Sequence, residues 1–233
     1  MYTFDLTTIS GFLASLWALL RGALAFDPDA YVAALTRPGG AQLSLAVLFV
    51  AGLSLTLGRS AILFANRVKR RRFLLSLILS SLLLVVGVLF WSATVDLLAN
   101  YLFDAQLPFR TVLIVVCLGH APLIYGLFVL LPYLGRLIDI VLHIWILLNV
   151  VGGIMAVERL ALWQALLCCL LGWGLLEMAS RLPFIKTVEN GLWRLTTGLP
   201  HWLNTKDLVD RYVRELRTRA RPLTGDRPEE SER

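Results

Sequence analysis

Two ionisable residues, Asp96 and His120, sit deep inside apolar stretches of this 233-residue chain. Asp96 lies eight residues before Asp104, and His120 lies ten residues after Arg110. If both stretches are helical, each group is roughly 12–15 Å from the connection between them. Consecutive antiparallel helices would then hold the two at similar heights. An imidazole titrates near neutral pH and a neighbouring carboxylate shifts that titration, so the pair could hand on a proton. A structural hydrogen bond is the plainer account.

Asp139 and His143 are four residues apart and share one helix face, with Arg136 one turn earlier. A local ion pair explains this spacing. A metal would want further ligands. His120 joins Asp139 and His143 only if their two helices face each other with an offset of about 6 Å. The third histidine, His201, is far along in the tail, so no metal is assigned. Glu177, Gln164 and Asn149 complete the polar groups within apolar surroundings. No nucleophile–base pair, glycine-rich phosphate loop or pair of carboxylates at one depth is present, so neither catalysis nor a cofactor is expected. In Gly119-His120-Ala121-Pro122, Pro122 removes a helical donor and bends the segment, while Gly119 admits a close neighbour.

The elements that must position these groups are long apolar helices. The chain is 58% hydrophobic and 16% charged, with mean hydropathy +0.72, against about a quarter charged in soluble domains. Runs of about 20 apolar residues match a bilayer core of roughly 30 Å. Five are expected: Gln42 to Phe64, Leu74 to Leu102, Thr111 to Leu131, Leu137 to Ala156 and Leu160 to Ser180. The fold class is therefore an all-α membrane protein with five transmembrane helices, an amphipathic N-terminal helix and an amphipathic C-terminal tail. Residues 1–37 form interfacial N-terminal helices, 38–180 the membrane domain, 181–221 an interfacial and amphipathic tail, and 222–233 a disordered end.

The N-terminal stretch Leu6 to Phe26 fits a helix lying in the membrane interface, and an inserted helix as the alternative. Asp27-Pro28-Asp29 ends it and starts a short second helix. The cysteines, Cys117, Cys168 and Cys169, read as packing residues.

The net charge of +6 is uneven. Arg67, Lys69, Arg70, Arg71 and Arg72 form one basic loop, and the chain from Arg181 onward holds 11 Lys/Arg against 8 Asp/Glu. Basic loops mark the cytoplasmic face, so loop and tail are expected there, touching anionic headgroups. No folded basic module accompanies this charge, which argues against nucleic acid. The expected partners are the bilayer, other membrane proteins and further copies of this chain.

The layout resembles the Yip family, multi-pass proteins also called Rab-interacting membrane proteins, in its bacterial branch. The resemblance covers about Asp27 to Ser180. It is carried by Phe26-Asp27-Pro28, a long second span with Asp96-Leu97, Gly119-His120-Ala121-Pro122-Leu123, and the turn Leu131-Pro132-Tyr133-Leu134-Gly135. Two features depart from the family. The Asp-Leu-Tyr-Gly-Pro string of eukaryotic members shrinks to Asp96-Leu97, and His120 replaces an aromatic, so Rab recognition does not carry over. The resemblance implies a five-helix domain in a bacterial inner or internal membrane that binds other membrane proteins or organises the bilayer. A small transporter with an Asp96–His120 relay is the alternative.

Overall fold

The structure, a computed structural model, describes residues 2–65, 70–131, 133–158 and 160–180. These are mostly helical, with no strand among the described residues. Seven α-helices follow in order: α1 (Ile9–Leu24), α2 (Pro28–Thr36), α3 (Gly40–Ala65), α4 (Arg70–Phe103), α5 (Phe109–Gly119), α6 (Gly135–Val157) and α7 (Leu162–Ser180). A 3-10 helix, Ala121–Leu130, continues α5. The basic-loop residues Arg67 and Lys69, and the tail from residue 181 with His201, lie outside the described residues; Arg70, Arg71 and Arg72 open α4.

Four segments are long and apolar enough to cross a membrane: Gly40–Gly58, Ser81–Phe103, Phe109–Leu130 and Gly135–Val157. Two shorter apolar helices accompany them, Ile9–Leu24 and Leu162–Met178. The protein is thus a multi-pass, membrane-embedded helical bundle. Large apolar side chains such as Phe49, Ile78, Leu97, Ile144 and Met178 stay exposed on its outside. In water such a surface would be an aggregation liability; in lipid it is the solvated face.

Neighbouring helices interlock through small residues. On α4 and α7, Trp91 meets Cys169 and Phe103 meets Trp163, so these helices run antiparallel. On α5 and α6, Gly119 lies against Val150, and Gly153 lies against Val115, again antiparallel. Gly119 therefore does admit a close neighbour, as its lack of a side chain implied.

Pro122 does more than bend its span. The α-helix stops at Gly119, and ten residues of 3-10 helix follow. His120 N–H reaches back to the Cys117 carbonyl (3.3 Å) and Leu123 N–H to the His120 carbonyl (3.0 Å), both three-residue bonds. Runs of 3-10 helix beyond about four residues are uncommon, and this one is held from outside. The Ser54 hydroxyl of α3 donates to the Ile124 carbonyl (2.6 Å) and accepts from Leu127 N–H (3.2 Å). Gly58 and Gly126 bring the α3 and 3-10 backbones into direct contact, a closeness no Cβ would allow.

The N-terminal stretch does not stand alone but packs on the bundle. Thr8 caps α1 through Gly11 N–H, and Asp27 caps α2 through Asp29 N–H (both 3.0 Å) with Pro28 at the first turn. Together α1 and α2 form a hairpin packed against α3, α5 and α6. The small-residue face of α1 drives this: Ser15, Gly22 and Ala23 are buried with Leu19 and Leu20, while Ile9, Leu13 and Trp17 point outward. The Tyr31 ring of α2 rests on Gly153.

Candidate functional site

Two places combine unusual chemistry with a defined position: a cavity among α4, α6 and α7, and the tip of the α1–α2 hairpin.

The cavity has a volume of about 540 Å³, and His120, Asp139, His143 and Glu177 all line it. Among the described residues its walls are otherwise Leu, Ile, Val and Gly87 with Trp91 and Trp173. The helices that face each other thus bring His120 to the same space as Asp139 and His143. His120 forms the deep end, 7% exposed, where α5 gives way to the 3-10 helix. Its Nδ1–H donates to the Val116 carbonyl at 2.7 Å. A carbonyl only accepts, so Nδ1 carries the hydrogen, and in the neutral ring Nε2 is left as an acceptor. His143 repeats the arrangement, its Nδ1–H donating to the Asp139 carbonyl at 2.7 Å, with a carboxylate oxygen of Asp139 3.8 Å away. The expected Asp139–His143 pairing is therefore present, and the main contact is to backbone.

Trp91 fixes the opposite wall. Its Nε1–H donates to the Cys169 carbonyl (3.2 Å), tying α4 to α7. From Cys169, Trp173 is one turn further along α7, and Glu177 one turn beyond that. On α6, Leu147, His143 and Asp139 step in fours the other way. Because α6 and α7 are antiparallel, both rows lead from the deep end to the mouth. No cluster of three or more His, Cys, Asp or Glu among the described residues has metal-holding geometry.

Asp96 is not part of this site. It accepts from Asn100 Nδ2 (3.2 Å), and Asn100 in turn clamps Leu107 through both backbone groups (3.0 and 2.7 Å). The anticipated Asp96–His120 pair does not form. Trp91 is the α4 residue beside His120, and Asp96 is five residues on, about 140° around the helix and about 7.5 Å higher. Counting residues from the connection suggested matching heights, whereas the packing sets Asp96 above the level of His120 and turns it to another side.

The hairpin tip is the second place. Phe26, held at φ 58° in the turn, stacks on Trp145 with ring centroids 6.4 Å apart. Trp145 is ten residues from the start of α6 and twelve from its end, so the tip sits halfway along a membrane-length helix. The Tyr2 hydroxyl donates to Asp27 there (2.8 Å), with Arg21 and Asp29 close by. Arg21 and Asp29 are exposed on the outer face, and neither has an ion-pair partner among the described residues. Sequence reasoning missed this because Asp27-Pro28-Asp29 read there only as the end of one helix and the start of the next.

No family model, curated protein or solved structure matches this chain, so the residues alone carry the Yip resemblance.

Proposed function

We propose that this protein is a membrane scaffold or adaptor that binds other membrane proteins, or a second copy of itself, without catalysis. Counting α7, whose 19 residues reach about 28 Å, gives a domain of five spans of the Yip-like type. On this reading the basic residues Arg67 to Arg72 and the tail from Arg181 face the cytoplasm, as the positive-inside rule expects, and the membrane is the bacterial inner or internal one that the Yip-like layout implies.

The observation that carries this reading is the hairpin tip. Arg21 and Asp29 are exposed beside this tip, whose Phe26 stacks on Trp145 midway along α6, and within a bilayer an unsheltered charge costs roughly 2.5–3.5 kcal/mol on insertion scales. A partner's polar groups remove that cost. A second copy fits because the patch carries both signs: about a two-fold axis, Arg21 of each chain meets Asp29 of the other. The test is native mass spectrometry of the full chain from mild detergent, beside Arg21→Asp, Asp29→Arg and the double exchange. A dimer lost in each single variant and regained in the double supports the reading. A monomer in every sample, across detergents, sinks it.

A second reading, a small transporter, is favoured by the cavity. Its relay would run through His120, His143 and Asp139 rather than Asp96. Flux into liposomes that survives His120→Ala would remove it, as would no flux at all.

A further inference from the structure

Apart from the indole N–H groups of Trp91 and Trp173, the polar groups lining the α4–α6–α7 cavity are acceptors or carboxyl groups. His120 and His143 each spend their Nδ1–H on a backbone carbonyl, which leaves Nε2 lone pairs. Asp139 and Glu177 add two carboxylates, and no Lys or Arg is among the described residues that line the cavity. Two indoles, Trp91 and Trp173, complete the polarizable part of the wall, and the remainder is aliphatic. His120 is more than nine-tenths buried, and among the described residues its ring has one hydrogen-bond partner, the Val116 carbonyl on Nδ1. Such a group asks for a donor from a guest.

We propose that this cavity binds organic ammonium ions, that is, primary or secondary amines on an apolar body. The N–H groups would donate to His120 and His143 Nε2. The charge would rest among Asp139, Glu177 and the indole faces, an arrangement that attracts cations most strongly when water is scarce. Asp139 and Glu177 engage other groups as well, so the ammonium joins an existing polar network. The volume, about 540 Å³, falls within the range of small-molecule sites, about 300–1,000 Å³. Anionic guests are disfavoured by the same carboxylates. A bare metal ion is disfavoured because no three ligands converge among the described residues.

The proposal is independent of the adaptor reading, since the hairpin tip lies on another face. It is tested with the full chain in phosphatidylcholine nanodiscs by calorimetric titration, with empty discs subtracted. The probes are phenethylamine, phenethyl alcohol and phenylacetate, which share a body and differ in the polar group. Saturable binding of the amine, weaker binding of the alcohol by about tenfold or more, and none of the acid is expected. Asp139→Asn and Glu177→Gln should each weaken the amine and leave the alcohol unchanged. His120→Phe should weaken both, and Asp96→Asn, outside the cavity, neither. Equal binding of all three probes to the unmodified chain overturns the proposal, as does no saturable amine binding. Full amine affinity in Asp139→Asn and Glu177→Gln combined does so too. The probe series needs no variant, so a misfolded substitution cannot mask the answer.

Discussion

The Trp91 indole meets the His120 imidazole edge-on, with ring centroids 5.8 Å apart and planes at 79°, while its own N–H is held by Cys169 on α7. One side chain thus joins α4 and α7 and walls the buried histidine. Trp91→Phe keeps a ring but loses the hydrogen bond and part of the packing. A loss of about 1–3 kcal/mol is expected, read as a lower melting temperature in detergent. An unchanged melting temperature would mean that α4 and α7 are held elsewhere.

The contact of α3 with the 3-10 helix depends on two glycines. A Cβ on Gly126 would stand 2.5 Å from Leu55 Cα, and one on Gly58 would strike the Gly126 carbonyl. Both obstacles are backbone and cannot swing aside. Gly126→Ala and Gly58→Ala should each destabilise by about 1–3 kcal/mol or more. Gly152→Ala, with nothing within 4 Å, should be neutral or gain up to about 1 kcal/mol of helix propensity. Thermal melts of the three variants separate the cases, and a Gly126→Ala protein as stable as Gly152→Ala would contradict the packing.

Asn100, rather than Asp96, organises the connection after α4. Asn100→Ala removes two bonds to the Leu107 backbone and one to Asp96. Asp104 and Gln106 in this connection hold φ near 50°, so it needs that clamp. Asn100→Ala should cost about 1–3 kcal/mol, and Asp96→Asn under 1 kcal/mol. Limited proteolysis of the 104–108 connection gives the readout. Greater susceptibility in Asp96→Asn than in Asn100→Ala would reverse the assignment.

How much of this was legible beforehand depended on the kind of information each residue carries. Length and hydropathy located the apolar helices, because a bilayer imposes a run of fixed size. Pro122 marked the break in its span, because a missing N–H acts locally. That the chain continues as 3-10 helix depends on Ser54, seventy residues earlier on another helix, which no local pattern records. The His120 cavity needed three helices packed at particular rotations, and spacing along one helix gives only heights. The N-terminal stretch read as an amphipathic helix, which says nothing of its neighbours. Its pairing with α2 and the Tyr31–Gly153 contact are long-range and show where it packs.

Three buried groups stand without hydrogen-bond partners among the described residues: the Tyr31 hydroxyl, the Trp145 indole N–H and the Asn149 amide. An unmade bond in an apolar interior costs about 1–3 kcal/mol. Tyr31→Phe and Asn149→Leu should therefore raise the melting temperature. A clear fall for Tyr31→Phe would show that its hydroxyl is hydrogen-bonded in the membrane after all.

The depth of the hairpin tip bears most directly on the account, because the adaptor reading follows from charges exposed beside a tip that lies midway along α6. A spin label at Phe26→Cys, with Cys117, Cys168 and Cys169 replaced by alanine, reports that depth by power saturation with oxygen and a water-soluble nickel chelate in liposomes. The account predicts shielding from the chelate comparable to a label at Ile144 on α6. Chelate access matching an aqueous loop site such as Gln106 would place the tip in water and contradict it.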